Sequence, residues 1–144
     1  MPLPKPEPGL VIRYSYLWYE EAQTGREEGS KDRPCAIVLA SEESEGEIVV
    51  TVVPVTHTPP TRNEEAVEIP EVTKRRLGLD DARSWVVVSE TNRFVWPGPD
   101  LRPLHPGSDQ VAYGFLPPRL FDEVRDRLVA LYRARRHRST RRTE

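Results

Sequence analysis

Hydrophobic residues occur along this chain in short runs separated by polar and proline-containing stretches, and most of these runs have the composition of β-strands. The first predicted strand covers residues 9–18. The next two, over 34–40 and 48–55, flank an acidic segment that contains Gly46, which predicts a β-hairpin. The run at 34–40 is apolar throughout and predicts a strand buried on both faces. Pro54 predicts that the third strand ends there or lies at a sheet edge, because proline donates no hydrogen bond to a neighbouring strand.

The middle of the chain combines short strand patterns with one short helical pattern. Residues 66–69 predict a short strand. A helix is predicted over 70–77, since it starts with a proline, which suits the first helical position, and Gly78 provides a C-terminal stop. Another strand is predicted over 84–90, and residues 93–96 continue it after a bend until a Pro-Gly-Pro sequence ends it.

One long helix is predicted, over residues 117–137. Its apolar side chains recur at helical spacing and form a single stripe: Leu120, Phe121, Val124, Leu128 and Leu131. On its outer face, Glu123 and Arg127 have the i,i+4 spacing of an ion pair. In contrast, residues 20–32 are polar and acidic and predict a long, mobile loop.

The order of these elements favours an antiparallel sheet. Strands and helices do not alternate as they do in parallel sheets, and a strongly bent antiparallel sheet or barrel with helices at its edge fits better. We therefore predict a mainly β domain over residues 9–137, with a short internal helix and a long C-terminal helix. The proline-rich residues 1–8 predict a flexible N-terminus, and residues 138–144 a disordered basic tail.

Composition supports a single domain, since the chain has 144 residues. Cys35 is the only cysteine, so no intramolecular disulfide can form, and we expect neither a signal peptide nor a membrane-spanning run. We expect a cytoplasmic protein without a membrane partner.

The formal net charge of −2 conceals an asymmetry. Residues 133–144 contain six arginines and one glutamate, a local charge of +5, which leaves −7 on residues 1–132. An acidic body argues against broad affinity for nucleic acid. The basic segment is interpreted either as a solvated helix end or as a contact for RNA or an acidic partner.

Conventional metal and nucleophile motifs are absent from the sequence. His57, His105 and His137 follow no metal-ligand spacing, so no zinc site and no cofactor is predicted. His57 lies beside a strand end, where it is a candidate general base, although a lone histidine is more often a loop residue. A nucleophilic pair of Cys35 and His57 is disfavoured, because Cys35 falls in an apolar run where a cysteine behaves as a small hydrophobic residue.

Polar residues at three strand ends carry the more informative pattern. Arg33 precedes the apolar run at 34–40, Thr56 follows the third strand, and Glu90 closes the run at 84–90. If these strands are neighbours, a guanidinium, a hydroxyl and a carboxylate meet at one rim of the sheet. This set suits phosphate chemistry, since arginine matches phosphate oxygens and a carboxylate accepts a proton from a nucleophilic hydroxyl. The alternative is a structural ion pair between Arg33 and Glu90.

Five segments together resemble the MazF/PemK toxin family. In that family, a loop leads through Arg-Pro into a hydrophobic strand, and a second strand ends in Pro-x-Thr or Pro-x-Ser. The chain has these features in family order over roughly residues 8–132. The matching segments are 8–12, 31–39, 52–56, 86–93, which carries the acidic position, and the helical segment 120–131.

The resemblance implies an SH3-like barrel that forms a homodimer and acts as the toxin of a toxin–antitoxin pair. Such toxins cleave single-stranded RNA without a metal or cofactor, and an antitoxin protein restrains them. The family's catalytic positions map onto Arg33 as acid and phosphate anchor, Thr56 as phosphate contact and Glu90 as base. The substrate's 2′-hydroxyl is the nucleophile, and the products are a cyclic phosphate and a 5′-hydroxyl. We assign substrate binding to the nearby residues His57, Asn92 and Arg93.

Departures from the family pattern support an alternative function. Val88 occupies a position where some members carry arginine, the 20–32 loop is acidic, and the segment from Trp96 to Gly114 has no clear counterpart. The alternative is a catalytically inactive barrel that binds a protein partner or nucleic acid, as the related CcdB toxins bind gyrase. Three tryptophans, Trp18, Trp85 and Trp96, are expected to be core or interface anchors rather than base-stacking platforms.

Overall fold

The computed structural model of the chain describes residues 3–26, 29 and 31–142. Along these residues eight strands and three α-helices follow one another: β1 (Leu10–Tyr14), α1 (Tyr19–Gln23), β2 (Arg33–Glu42), β3 (Ile48–Thr56), β4 (Ala66–Glu68), α2 (Glu71–Leu77), β5 (Trp85–Val87), β6 (Glu90–Val95), β7 (Ala112–Phe115), α3 (Pro118–Arg133) and β8 (Arg138–Arg141). Two short 3₁₀ turns, Ser44–Gly46 and Asn63–Glu65, precede β3 and β4.

The strands form one mainly antiparallel sheet, which confirms the predicted fold class of β structure with a short internal helix and a long C-terminal helix. The strand order is β4-β5-β3-β2-β1-β7, and β6 pairs with β3 beside β5. A parallel pair between β6 and β8 extends the sheet at that point. The predicted hairpin is the β2–β3 pair, which aligns Cys35 with Pro54 and Glu42 with Ile48.

The prediction that the third strand ends at Pro54 or lies at a sheet edge is wrong, because Pro54 lies within the central strand β3. One side of β3 is paired with β2 along most of its length. On the other side, β6 pairs with residues 49–52 and β5 with residues 55–56. Pro54 falls between these two pairings, so its missing N–H leaves the sheet intact.

The strand predicted over 84–90 is divided, and Glu90 begins a strand instead of ending one. Strand β5 aligns Val86 with Val55 of β3. If the same register continued along the chain, Asn92 would lie opposite Val49, but in β6 it lies opposite Val52. The bend between β5 and β6 therefore contains three additional residues, and Glu90 begins the strand that follows this bend.

Both helices predicted in the second half are present, although the long one ends at Arg133 rather than at residue 137. Helix α2 ends at Gly78, whose φ of 73° is left-handed and suits glycine. On α3, Glu123 and Arg127 form the expected ion pair, with 3.0 Å between the charged atoms. The predicted stripe of α3 packs on the sheet: Leu120, Val124 and Leu131 are buried, and Phe121 and Leu128 are partly buried.

The segment predicted as a loop over 20–32 contains part of helix α1, and the first strand ends at Tyr14 rather than at residue 18. Positions 27, 28 and 30 of the predicted loop lie outside the described residues. Residues 3–8 of the predicted flexible N-terminus contain no regular element but include the buried Pro6, and positions 1 and 2 are likewise not described.

The prediction of a disordered basic tail is wrong for residues 138–142, because strand β8 pairs with β6 and Arg142 is 5% exposed. The side chain of Arg142 forms an ion pair of 3.1 Å with Asp100 and donates a 2.6 Å hydrogen bond to the carbonyl of Ser15. These contacts hold the end of the chain against β1 and the 96–114 segment. Residues 143–144 fall outside the described part.

The sheet is buried on both faces. One hydrophobic cluster, which contains Ala36, lies under α2 and α3, and a second, which contains Cys35 and Ile37, lies on the opposite face with Tyr14 and Phe94. This alternation confirms that the first half of β2 is covered on both sides. No α-helix in the described ranges is both long and apolar enough to cross a membrane.

Candidate functional site

The register of the central hairpin places Arg33 and Thr56 at the same end of the sheet. Cys35 pairs with Pro54, and continuing this register by two residues brings Arg33 opposite Thr56. Both side chains line a cleft of about 440 Å³, which we call the Arg33 cleft. His57 and Trp18 also line it. Two of the three predicted catalytic residues therefore share one cavity.

Arg33 is a buried cation without an anionic partner among the described residues. It is only 8% exposed, and its guanidinium donates one hydrogen bond of 3.2 Å to the carbonyl of Val55. Its Cζ lies 5.0 Å from the centroid of the Trp18 ring, and its Nε is buried without a hydrogen-bond partner. Burial lowers the pKa of Arg33. The predicted alternative, an ion pair with Glu90, is not formed, because each residue has other partners.

Glu90 lies in a neighbouring cavity of about 1000 Å³, which we call the Glu90 cavity. Its Oε1 accepts a hydrogen bond from the Tyr16 hydroxyl and one from the Tyr19 N–H, each 3.0 Å long. Burial raises the pKa of Glu90, and the nearby charges of Glu20 and Glu21 add to this effect, although the two hydrogen bonds oppose it. Burial also raises the pKa of Tyr16, so its hydroxyl remains a donor to Glu90.

The two cavities adjoin, because they share part of their lining, and we call them together the strand-end groove. The residues that line both are Trp18, Thr58, Thr61, Glu65 and Ser89. Arg33 and Thr56 therefore lie on one side of this shared wall and Glu90 on the other. The structure brings the three predicted catalytic residues to one groove, but not into mutual contact.

His57 is next to Arg33 and Thr56 and does not line the Glu90 cavity. It lines the Arg33 cleft and a further cavity of about 310 Å³, together with Arg33 and Thr56. Its Nε2 lies 2.9 Å from Oδ2 of Asp80. Lys74, which is 4% exposed, donates from Nζ to Oδ1 of Asp80 at 3.1 Å and to Oγ of Ser84 at 2.8 Å.

Sequence reasoning missed Asp80 and Lys74. Partial burial raises the pKa of Asp80, but the hydrogen bond from Lys74 and the charges of His57 and Lys74 outweigh it, and the pKa is lowered. Asp80 lies 23 residues from His57, in the turn after Gly78, and no motif spacing connects them. Only the turn that follows α2 brings the carboxylate to the histidine.

Two predicted substrate-binding residues do not reach the strand-end groove. Asn92 is 0% exposed, and its side-chain amide is bonded to both the N–H and the carbonyl of Leu17 and to Arg142. Because these bonds fix the segment after β1 to the sheet, Asn92 is a structural residue. Arg93 lies in the middle of β6, aligned with Thr51 on one side and Arg141 on the other, away from the groove lining.

The structure also excludes the Cys35–His57 nucleophile pair. Cys35 is fully buried, its pKa is raised by that burial, and His57 is bonded to Asp80. His137 lies near Tyr132 in a further cavity, which shares Arg135 and Arg138 with the Glu90 cavity, and burial lowers its pKa. Within the described ranges, no group of three or more histidine, cysteine, aspartate or glutamate side chains is arranged to hold a metal ion.

Arginines from the C-terminal segment line the Glu90 cavity. These are Arg135, Arg136 and Arg138, with Arg62 from the loop after β3. Arg136 forms an ion pair of 2.9 Å with Glu64, and Cζ of Arg138 lies 5.6 Å from the centroid of the Tyr19 ring. Strand β8 thus moves part of the positive charge of the tail to the groove of an otherwise acidic body.

Comparison with known proteins adds no assignment to this geometry. No protein-family model matches the chain, and a search of curated proteins finds no significant match. The interpretation of the groove therefore depends on its own residues and on the resemblance in the sequence motifs.

Proposed function

We propose that the protein is an endoribonuclease that cleaves single-stranded RNA without a metal, and that it is the toxin of a toxin–antitoxin pair. The observation that carries this proposal is the buried guanidinium of Arg33, which lines an open cleft and has no carboxylate partner among the described residues. Burying an unpaired charge is costly for a fold, so such a group is retained where an anion binds. Phosphate, like carboxylate, has oxygens that match the geometry of the arginine guanidinium.

The chemistry follows from the order of side chains along the groove. Arg33 would bind the scissile phosphate and stabilise the negative charge that builds on it, and Thr56 would donate a hydrogen bond to the same phosphate. Glu90 would accept the proton of the substrate's 2′-hydroxyl. The 2′-oxygen then forms a bond to phosphorus and the bond to the 5′-oxygen breaks, which gives a cyclic phosphate and a 5′-hydroxyl.

The two adjoining cavities and the arginines that line one of them support a polynucleotide substrate. The Arg33 cleft and the Glu90 cavity share a wall, and the arginines of the C-terminal segment border the far end. A single strand with its scissile phosphate at Arg33 would place neighbouring phosphates toward Arg135 and Arg138. Phosphate contacts of this kind supply affinity without reading sequence.

The biological setting is part of the same proposal and rests on the family resemblance. It comprises a cytoplasmic location, an SH3-like barrel, a homodimer and an antitoxin protein that restrains cleavage. Growth arrest on expression, relieved by a cognate antitoxin, is the expected cellular result. No arrest, together with a stable partner and no RNA cleavage, would support the catalytically inactive alternative.

The decisive experiment is incubation of the purified protein with a pool of random-sequence single-stranded RNA in EDTA. We expect products that end in cyclic phosphate and 5′-hydroxyl groups, and a loss of about 100-fold or more in rate for Arg33→Ala. Arg83→Ala, at an exposed arginine paired with Glu68, is the matched control and should cleave normally. Intact RNA across the pool, or undiminished cleavage by Arg33→Ala, would disprove the proposal.

A further inference from the structure

His57 is held in a charge network beside Arg33 and Thr56, in cavities that Glu90 does not line. Asp80 joins its ring to the buried ammonium of Lys74, and Asp80 also accepts a 3.2 Å hydrogen bond from the N–H of Ala82. With Nε2 directed to Asp80, the remaining ring nitrogen of His57 is the one available to a bound molecule. The carboxylate fixes the orientation of the ring.

The proposed cleavage needs a proton donor that Arg33 supplies poorly. The 5′-oxygen leaves as an alkoxide unless it is protonated, and a guanidinium holds its protons too tightly to be an efficient acid near neutral pH. An imidazolium is well matched to that task. In an in-line displacement the attacking and leaving oxygens lie on opposite sides of the phosphorus, so base and acid must flank the phosphate.

The distribution of residues between the two cavities is compatible with this requirement. Arg33 and Thr56 share a cavity with His57, and Glu90 lines the adjoining cavity, which has Trp18 and Ser89 in common with the first. Glu90 does not line either cavity that contains His57. A phosphate bound at Arg33 would therefore share its cavity with the imidazole and have the carboxylate in the adjoining one.

We propose that His57, oriented by Asp80, is the general acid that protonates the leaving 5′-oxygen, an inference that rests on the proposed ribonuclease function. In this step the 2′-oxygen gives its proton to Glu90 and bonds to phosphorus. The bond between phosphorus and the 5′-oxygen breaks, and His57 transfers its proton to that oxygen. Glu90 then releases its proton to solvent, and His57 takes up a proton from solvent. Asp80 is a positioning residue.

A purely structural role for the pair is the competing interpretation. His57 and Asp80 are 52% and 56% exposed in their side chains, and a surface ion pair of this kind contributes little to stability. A structural role would affect any substrate equally. If His57 is the acid, its substitution should no longer slow cleavage when the leaving group needs no proton. This difference separates the two interpretations.

The test uses two versions of one RNA, whose sequence is taken from the sites cleaved in the random pool. One carries the natural 5′-oxygen at the scissile bond and the other a 5′-bridging sulfur, which leaves without protonation. We expect His57→Ala and His57→Gln to cleave the oxygen substrate about 100-fold more slowly than the wild type and the sulfur substrate at nearly the wild-type rate. Asp80→Asn should show a smaller form of the same selectivity, and Glu90→Gln should be slow on both substrates.

His105→Ala, at an exposed histidine in another loop, is the matched control and should cleave both substrates normally. Equal slowing of both substrates by the His57 variants, or no slowing at all, would overturn the acid role while the ribonuclease proposal stands. A wild-type protein that cleaves neither substrate would overturn both proposals. Circular dichroism tests whether each variant is folded. If His57→Ala unfolds, His57→Gln, which retains a polar side chain, is used in its place.

Discussion

The guanidinium of Arg33 lies on the indole ring of Trp18, with 5.0 Å between Cζ and the ring centroid. Trp18 precedes α1 and forms part of the wall shared by the Arg33 cleft and the Glu90 cavity. The indole ring contacts the guanidinium of Arg33 but carries no negative charge. Among the described residues, this guanidinium therefore has no anionic partner. Trp18, expected from the sequence to be a core or interface anchor, is thus only partly buried and supports the candidate phosphate anchor.

Replacing the buried guanidinium of Arg33 should impair RNA cleavage and increase the stability of the fold. We expect Arg33→Met to raise the free energy of unfolding by about 1–2 kcal/mol, because it removes an unpaired buried charge and keeps the apolar volume. Urea unfolding of the two proteins measures the difference. Arg83→Met removes an exposed charge and should lower stability slightly or not at all. A clear loss of stability in Arg33→Met would show that the guanidinium supports the fold.

Stability should depend on pH through Glu90. Its raised pKa means that the folded state favours the neutral carboxyl. This contribution is complete below the ordinary pKa of a glutamate, about 4.3, and is lost as the pH rises through the folded-state value. Glu90→Gln keeps an acceptor for Tyr16 and Tyr19, so it should be more stable than the wild type at pH 7 and equally stable below about pH 4.

Glu68 provides a control of opposite sign for this measurement. A hydrogen bond from Arg83 lowers the pKa of Glu68, so its contribution is present above the ordinary pKa and is lost as the pH falls through the folded-state value. Glu68→Gln should therefore be slightly less stable than the wild type at pH 7. Unfolding free energies at a series of pH values test both variants, and a Glu90→Gln protein less stable at pH 7 would contradict the assignment.

The end of the chain should be essential for folding stability. Arg142 is buried with Asp100, and its loss leaves that carboxylate without its charged partner. We expect Arg142→Ala to lower the free energy of unfolding by about 3–5 kcal/mol. Arg141→Ala changes the exposed neighbour and should alter it by less than about 0.5 kcal/mol. Similar effects of the two substitutions would disprove this role of Arg142.

The arginines at the far end of the groove should govern the salt dependence of RNA binding. A 2′-O-methyl RNA strand binds without being cleaved, so affinity is measured apart from catalysis. We expect the double variant Arg135→Ala/Arg138→Ala to reduce the slope of log affinity against log salt by about 1.4, or about 0.7 for each phosphate contact on a single strand. Arg119→Ala/Arg125→Ala removes the same charge from α3. An equal change in both double variants would indicate only bulk electrostatics.

Local patterns identified most of the elements but not their divisions. The continuous apolar residues of 34–40 and the helical stripe of α3 are properties of neighbouring residues, so the sequence revealed them. The bend between β5 and β6 was missed because Val88 and Ser89 are compatible with a strand, and the pairing of each half with a different part of β3 decides the break.

The sequence by itself determined the hairpin and the stripe on α3, since both follow from strand patterns, turn signals and helical period. Tertiary structure alone decided that Asp80 orients His57, that Asn92 is buried and that the basic tail is the strand β8 beside the groove. The physical reason is range: these contacts join residues far apart in the chain, and their energies depend on burial and charge pairing that exist only once the sheet has formed.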